Sequence, residues 1–390
     1  MFAVEEIQKL LKQEALDGWL FFDHHQRDPL AYRVLKFEPP RAPTRRWYYL
    51  IPAQGEARGL VHRIESDMLA ALPGRKESYA GWSEQRDGLA RLLGGCRRVA
   101  MQYSPLCAVP YVSMVDGGTV DLVRSTGVEV ASSANLIQHF EARWTAEQLA
   151  SHLEAGRRVD GIRRAAFERI GACQRRREAV SEWDIKSFIL EQFRAQGMVT
   201  DHGPIVAVNA NAANPHYEPD AGSSRAIRAG DLVLIDLWAR LAEEGSVYYD
   251  VTWTGYCGPA PPSNIQNVFE IVRGARDAAV EHVQRAFGAG RPLCGYEVDD
   301  VARGFIRERG FGDAFFHRTG HSIGMDVHGA GANMDNLETH DERRIIPWTC
   351  FSIEPGIYLS DFGVRSEVNV FAGDVEAQVT GEVQQSLVRI

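Results

Sequence analysis

Two apolar stretches in the C-terminal half of this 390-residue chain each end in an acidic residue, and each has a second acidic residue a short turn downstream. In DLVLIDLWA, residues 231–239, the side chains of Leu232, Leu234 and Asp236 fall on one face of a strand and those of Val233 and Ile235 on the other. In VYYDVTWTG, Tyr248, Asp250 and Thr252 share a face, and Glu243-Glu244-Gly245 between the two stretches reads as a turn. A hairpin then sets Asp236 beside Asp250. The pattern recurs downstream: CFSIEPGIY ends an apolar strand at Glu354, GVRSEVNVF supplies Glu367 thirteen residues later, and residues 360–363 form the turn. Four carboxylates converging on one pocket repel strongly unless cations sit between them. Two divalent ions balance the four negative charges.

Histidines complete the set. HRTGHSIGMDVHG, residues 317–329, holds His317, His321 and His328 among three glycines that permit close backbone approach to a ligand. NAANPHYEP, residues 211–219, places His216 in a proline-containing turn after the apolar strand PIVAV. Oxygen ligands with one imidazole suit Mn²⁺ first, with Co²⁺ or Zn²⁺ as alternatives.

The elements that must carry these residues are a mixture of helices and strands. Residues 2–16 have apolar positions at helical spacing, GWLFF reads as a strand, and residues 47–51 and 57–61 flank a turn at 52–55. Residues 97–101 and 119–122 read as further strands, and residues 64–72 and 82–93 as helices. This gives a first α/β domain over residues 1–140. At Thr145 the texture changes: Thr145 and Gln148 have the spacing of a capping box, followed by a long helical pattern. Helices near 181–196, 263–287 and 296–309 interrupt hairpin texture in a larger α+β domain over residues 141–390.

Composition bounds the partners. Lys+Arg is 43 and Asp+Glu is 52, a net charge of −9 that argues against nucleic-acid binding. Arg157-Arg158 and Arg175-Arg176-Arg177 read as solvated helix faces. The six cysteines are scattered with no C-x-x-C pair, the N-terminus lacks the basic head and apolar run of a signal peptide, and no apolar run is long enough to span a membrane. The expected location is the cytoplasm.

The order H-Y loop, LIDLW, YDVT, GHSIG, SIEPGIY, VRSE resembles the M24 metallopeptidases of pita-bread fold, in their prolidase, aminopeptidase P and creatinase branch. The resemblance is strong over residues 145–385 and loose over 1–140, the position of that branch's smaller N-terminal domain. It implies metal ligation by Asp236, Asp250, His321, Glu354 and Glu367. Asp236 is expected to chelate one ion, Asp250 and Glu367 to bridge both, and His321 to bind the ion that Asp236 does not. Glu354 is expected also to relay a proton. His216 and His328 match the family's two further histidines and are expected to polarise the scissile carbonyl. Departures fall outside the ligands. Trp253 stands where arginine is common, Gly329 follows His328 where glutamate is common, and the turn after Asp236 is longer.

The resemblance implies a peptide substrate with proline after the scissile bond, two divalent ions and a homodimer. Tyr217, Phe316 and Trp253 are candidate walls of an apolar slot for the proline ring. A dipeptidase needs a cation for the free carboxylate, for which Arg343 and Arg344, or Arg41, Arg45 and Arg46, are candidates, while Arg365 is better placed to support a ligand through a carboxylate pair. Hydrolysis of Xaa-Pro dipeptides is the leading expectation, and release of the first residue from longer Xaa-Pro peptides the next. Creatinase-like hydrolysis and a catalytically silent peptide-binding module are disfavoured by the intact ligand set. Methionine aminopeptidase is disfavoured by the additional N-terminal domain.

Overall fold

A computed structural model describes residues 4–390. The chain forms two compact units, the first ending at Glu141 and the second running from Ala142 to Ile390.

The first unit is a mixed six-stranded sheet with helices. Its strands are β1 (Gly18–Asp23), β2 (Trp47–Pro52), β3 (Arg58–His62), β4 (Arg75–Tyr79), β5 (Arg98–Met101) and β6 (Glu129–Ser132), in the order β4-β3-β2-β1-β5-β6. The β1/β2 and β2/β3 pairs are antiparallel and the others parallel. The helices are α1 (Val4–Gln13), α2 (Pro29–Leu35), α3 (Trp82–Leu92), α4 (Gly117–Arg124) and α5 (Ala134–Glu141). Leu20, Tyr48, Leu60, Leu89, Val99 and Val120 are among the residues of one core.

Two sequence expectations fail in this unit. Residues 119–122 are not a strand but the middle of α4. The Asp116 side chain accepts the Thr119 N–H and caps the helix, and Val120 and Val123 are buried at helical spacing. Residues 64–72 form only the 3₁₀ turn Arg63–Glu65 followed by irregular turns. Period alone did not separate helix from strand in stretches this short.

The second unit repeats one plan twice, a helix pair followed by a sheet. The first half has α6 (Ala146–Arg176), α7 (Glu182–Ala195), β7 (Met198–Val199), β8 (Ile205–Val208), β9 (Leu232–Leu241) and β10 (Tyr249–Tyr256). Thr145 and Gln148 form the expected capping box at the start of α6, each side chain bonding the other's backbone. Val159, Ile162, Phe167, Ile185 and Ile189 on α6 and α7 bury against Val233, Ile235 and Val251. The second half has α8 (Ser263–Gly288), α9 (Gly295–Arg307), β11 (Ser322–Ile323), β12 (Thr349–Ile353), β13 (Gly356–Tyr358), β14 (Gly363–Arg365), β15 (Val368–Ala372) and β16 (Ala377–Thr380). Phe269, Val272, Ala279, Val298 and Ala302 pack on Phe351, Ile353, Val368 and Val370.

The sheets run β17-β10-β9-β7, with β8 also on β9, and β11-β12-β15-β16, where β17 is Val388–Arg389. The two halves meet along β10 and β15. Asp250 N–H donates to Asn369 Oδ1 at 3.0 Å, the Asn369 amide donates back to the Asp250 carbonyl, and Glu367 N–H donates to the Thr252 carbonyl at 3.1 Å. No helix among the described residues is long and apolar enough to cross a membrane.

Candidate metal centre

The register of the first hairpin sets Thr252 opposite Asp236 and Trp238 opposite Asp250. Directly opposed residues share a face, so Asp236, Asp250 and Thr252 project from one side of the sheet. The second hairpin closes with Ile353 opposite Val368, which leaves Glu354 and Glu367 flanking that last pair. Because β10 adjoins β15, Thr252 Oγ1 donates to Glu367 Oε2 at 2.8 Å.

His321 immediately precedes β11. Its N–H donates to Ser352 Oγ at 2.9 Å, and its carbonyl accepts from Ser352 N–H at 2.8 Å. Gly320 makes this approach feasible, since a Cβ there would lie 1.9 Å from the Ser352 carbonyl oxygen. A ring protonated at Nδ1 donates to its neighbour's carbonyl at 3.2 Å and turns Nε2 towards Glu354 Oε1 at 3.3 Å and Asp250 Oδ2 at 3.6 Å. Ligand atoms of Asp250, His321 and Glu367 all lie within 4.8 Å of one another.

Burial is the first cause of every pKa shift in this cluster. It pushes Asp236 up, Asp250 and Glu367 well up, and Glu354 up to about 7. Mutual repulsion adds to the shifts at Asp250 and Glu367, while Arg365 opposes them all. His321 is driven well below its ordinary value, by burial first and then by His328 and Arg318, so its Nε2 lone pair is available.

Asp250, His321 and Glu367 fit a divalent cation. Asp250 Oδ1 and Glu367 Oε1 are buried with no hydrogen-bond donor. Buried anionic oxygens without donors are costly unless a cation meets them. The donor set of hard oxygens and one imidazole matches such an ion.

Asp236 stands apart from the compact trio. Arg365, itself buried, donates through Nη2 to Asp236 Oδ2, through Nε to Thr252 Oγ1 at 3.0 Å and through Nη1 to the Tyr358 hydroxyl at 3.1 Å. The expected carboxylate pair for Arg365 is therefore with Asp236. Tyr358 in turn meets His317 Nε2 at 2.7 Å.

The two further histidines lie on loops. His328 presents its ring edge-on to His321, with centroids 4.4 Å apart. Its ring keeps an exposed edge, yet the crowding around it pushes its pKa down to about 4. His216 is exposed, and its backbone N–H donates to Asn214 Oδ1 at 3.1 Å.

The substrate candidates differ in their surroundings. Trp253 does not wall the site. Strand alternation turns it to the opposite face of β10 from Asp250 and Thr252, where the Arg163 guanidinium stacks 3.4 Å from its ring centroid. Arg343 is buried and saturated, donating to Asp341 Oδ1 at 2.9 Å, Asp341 Oδ2 at 2.6 Å and the Ala330 carbonyl at 2.8 Å. Arg344 is exposed across from Cys294, beside the start of α9. The Tyr217 hydroxyl donates to Glu182 Oε2 at 2.7 Å, and its ring packs with Ile205, Ala207, Ala212 and Leu234. Phe316 is 52% exposed with its ring 5.2 Å from Tyr358. Arg41, Arg45 and Arg46 belong to the first unit. There Arg41 pairs with Asp67, Arg45 donates to Thr44, and Arg46 accepts the Tyr79 hydroxyl at its carbonyl.

Sequence reasoning passed over four contributors. The charge of Arg318 acts on Glu354, His321 and His328. Its signal was its place three residues before His321. Asp299 accepts from Thr319 N–H at 2.9 Å and is paired bidentately with Arg303, which also donates to the His317 carbonyl at 2.8 Å. Thr252 and Asn369 stitch β10 to β15.

Residues 151–374 match the model of metallopeptidase family M24. The chain is 32% identical over 237 residues to an Xaa-Pro dipeptidase of Lactobacillus delbrueckii subsp. lactis, covering 60% of this chain and 58% of that protein's length. It therefore spans little more than half of that curated relative. A prolidase structure from Thermococcus sibiricus superposes with a TM-score of 0.61 at 23% identity, covering 99% of this chain and 98% of that one. Dipeptidase PepE from Mycobacterium ulcerans superposes with a TM-score of 0.67 at 21% identity, covering 99% and 96%. These likenesses establish the expected α+β fold, with a pita-bread second unit.

Proposed function

This chain belongs to metallopeptidase family M24, and we propose that it hydrolyses the Xaa-Pro bond of dipeptides. The observation that carries this reading is the buried trio of Asp250, His321 and Glu367, with donor-less oxygens on both acids. The Xaa-Pro dipeptidase relative supports the substrate class.

Asp236, Asp250, His321, Glu354 and Glu367 would hold two divalent ions, Mn²⁺ by preference. Bound there, the ions supply Lewis acidity and a nucleophilic water at neutral pH. His216 and His328 donate hydrogen bonds to the scissile carbonyl oxygen as it gains charge. Both rings sit on loops, and an imidazole ring N–H is the donor this needs. Glu354 holds the proton of the attacking water and passes it to the departing prolyl nitrogen. Its Oε1 accepts from Ser352 Oγ at 3.0 Å, and its Oε2 lies 3.8 Å from Arg365 Nε. Arg318, whose charge acts on Glu354, His321 and His328, anchors the free carboxylate of the dipeptide. Phe316, half exposed against Tyr358, offers an apolar wall to the proline ring.

The protein is proposed to act in the cytoplasm as a homodimer. Its six cysteines, all free, suit a reducing compartment. Sedimentation of the purified chain tests the dimer.

Metal-stripped protein assayed on Leu-Pro and Leu-Pro-Gly, before and after Mn²⁺, tests the activity. Mn²⁺-dependent cleavage of Leu-Pro alone is the expected result. Cleavage of the tripeptide would move the assignment to an Xaa-Pro aminopeptidase. Silence on both with metal bound would overturn proline-directed hydrolysis.

A further inference from the structure

Glu182 is the first residue of α7 and is fully buried. It is not needed as a cap, because Ser181 and Asp184 already form a capping box at that helix end. Its two oxygens accept instead from one long loop. Oε1 accepts from Val208 N–H at 2.7 Å and from the Asn211 amide at 2.9 Å. Oε2 accepts from the same amide at 3.1 Å, from the Tyr217 hydroxyl at 2.7 Å and from Arg225 N–H at 2.6 Å. Its own N–H donates to the Arg225 carbonyl at 3.0 Å. Among the described residues no lysine, arginine or histidine side chain forms an ion pair with it.

These partners lie at the start, the middle and the end of the segment 208–225. Apart from the 3₁₀ stretch Asn209–Ala213, that segment has no regular structure up to residue 225. His216 lies within it, one residue before the bonded Tyr217. A carboxylate accepts at both oxygens and donates nothing, so it alone among side chains of this shape satisfies donors from every side. One buried group therefore sets the path of the loop that carries His216.

We infer that Glu182 is the positioning residue for His216: it pins the loop at both ends and through Tyr217, and so fixes where the imidazole sits. Its effect on turnover rests on the peptidase reading above, whereas its hold on the loop does not.

The test uses full-length, Mn²⁺-loaded Glu182→Gln. The amide keeps the shape but turns an NH₂ group towards donors, so it does not rescue. Amide hydrogen exchange across 209–225 is expected to speed up while β9, β10 and β15 stay unchanged. Metal stoichiometry is expected to hold, kcat on Leu-Pro to fall about tenfold and KM to change by less than about twofold. Glu182→Gln/His216→Ala should turn over no more slowly than His216→Ala, because the two changes remove one function. Unchanged exchange over 209–225 overturns the pin. Losses that multiply in the double variant overturn its action through His216. If Glu182→Gln does not fold, Tyr217→Phe removes one donor and leaves the carboxylate. Faster exchange over 214–220 then supports the pin, and unchanged exchange overturns it. A chain inactive on both peptides refutes the peptidase reading alone, and the exchange data still decide the pin.

Discussion

Asp250 sits on β10 and Glu367 immediately before the adjoining β15, locked by hydrogen bonds that run directly between the two segments. His216 and His328 sit on loops, held at one remove by Glu182 and by Ser322, which accepts from Gly329 N–H at 2.6 Å and, through its hydroxyl, from Gly331 N–H at 3.0 Å. The strand-borne acids are buried and pushed up in pKa, whereas the loop-borne imidazoles keep exposed edges. A cation needs fixed, desolvated oxygens. A substrate needs donors that it can reach and that can adjust to it. The two scaffolds divide those tasks, with ion retention in the strands and turnover in the loops.

The division fails if Asp250→Asn or Glu367→Gln keeps its metal. Each is expected to lose an ion by elemental analysis and at least about 10³-fold in kcat/KM. His216→Ala should do the reverse, with metal content intact and kcat lowered by about 2–4 kcal/mol of transition-state stabilisation. Full turnover in that variant would remove the loop from the chemistry.

Stability against pH sharpens the strand side. Glu354 titrates at about 7 in the ion-free fold, against an ordinary value of 4.5. The folded state then binds more protons than the unfolded state between those values, so ion-free stability falls as pH rises through that window, by about 1–3 kcal/mol. Thermal melts of stripped protein should show this decline, and Mn²⁺ should abolish it. A flat profile would mean the carboxylates are not crowded in solution.

Arg318→Met should raise KM for Leu-Pro about tenfold and leave KM for a C-terminally amidated substrate unchanged. Equal effects on both substrates would remove the carboxylate contact. The smallest effect is expected at Trp253→Phe, which lies on the far face of β10 and should alter kcat/KM by less than about twofold.

The carboxylate pairs were legible because strand period fixes the face and a short turn fixes the partner. The Thr145–Gln148 capping box was legible for the same local reason. Trp253 was misplaced although alternation with Asp250 and Thr252 already assigned it to the other face. Arg343 read as a free cation, since nothing in a motif reveals that Asp341, two residues away, saturates it. Glu182 gave no signal in the sequence, because its partners begin 26 residues downstream and share no pattern with it. Local periodicity reports elements and faces, while long-range polar closure has no such signature.

The seam between β10 and β15 also bears on how the protein is made. Thr252 and Glu367 are 115 residues apart in sequence, Asp250 and Asn369 are 119 apart, and Asp236 and Arg365 are 129 apart. Contacts of such separation form late, after each helix-and-sheet half has closed its own core. The centre is then a product of folding rather than a nucleus for it. During synthesis the β9–β10 hairpin carries Asp236 and Asp250 without Glu367 until the last hairpin emerges, so the full ligand set comes together only late.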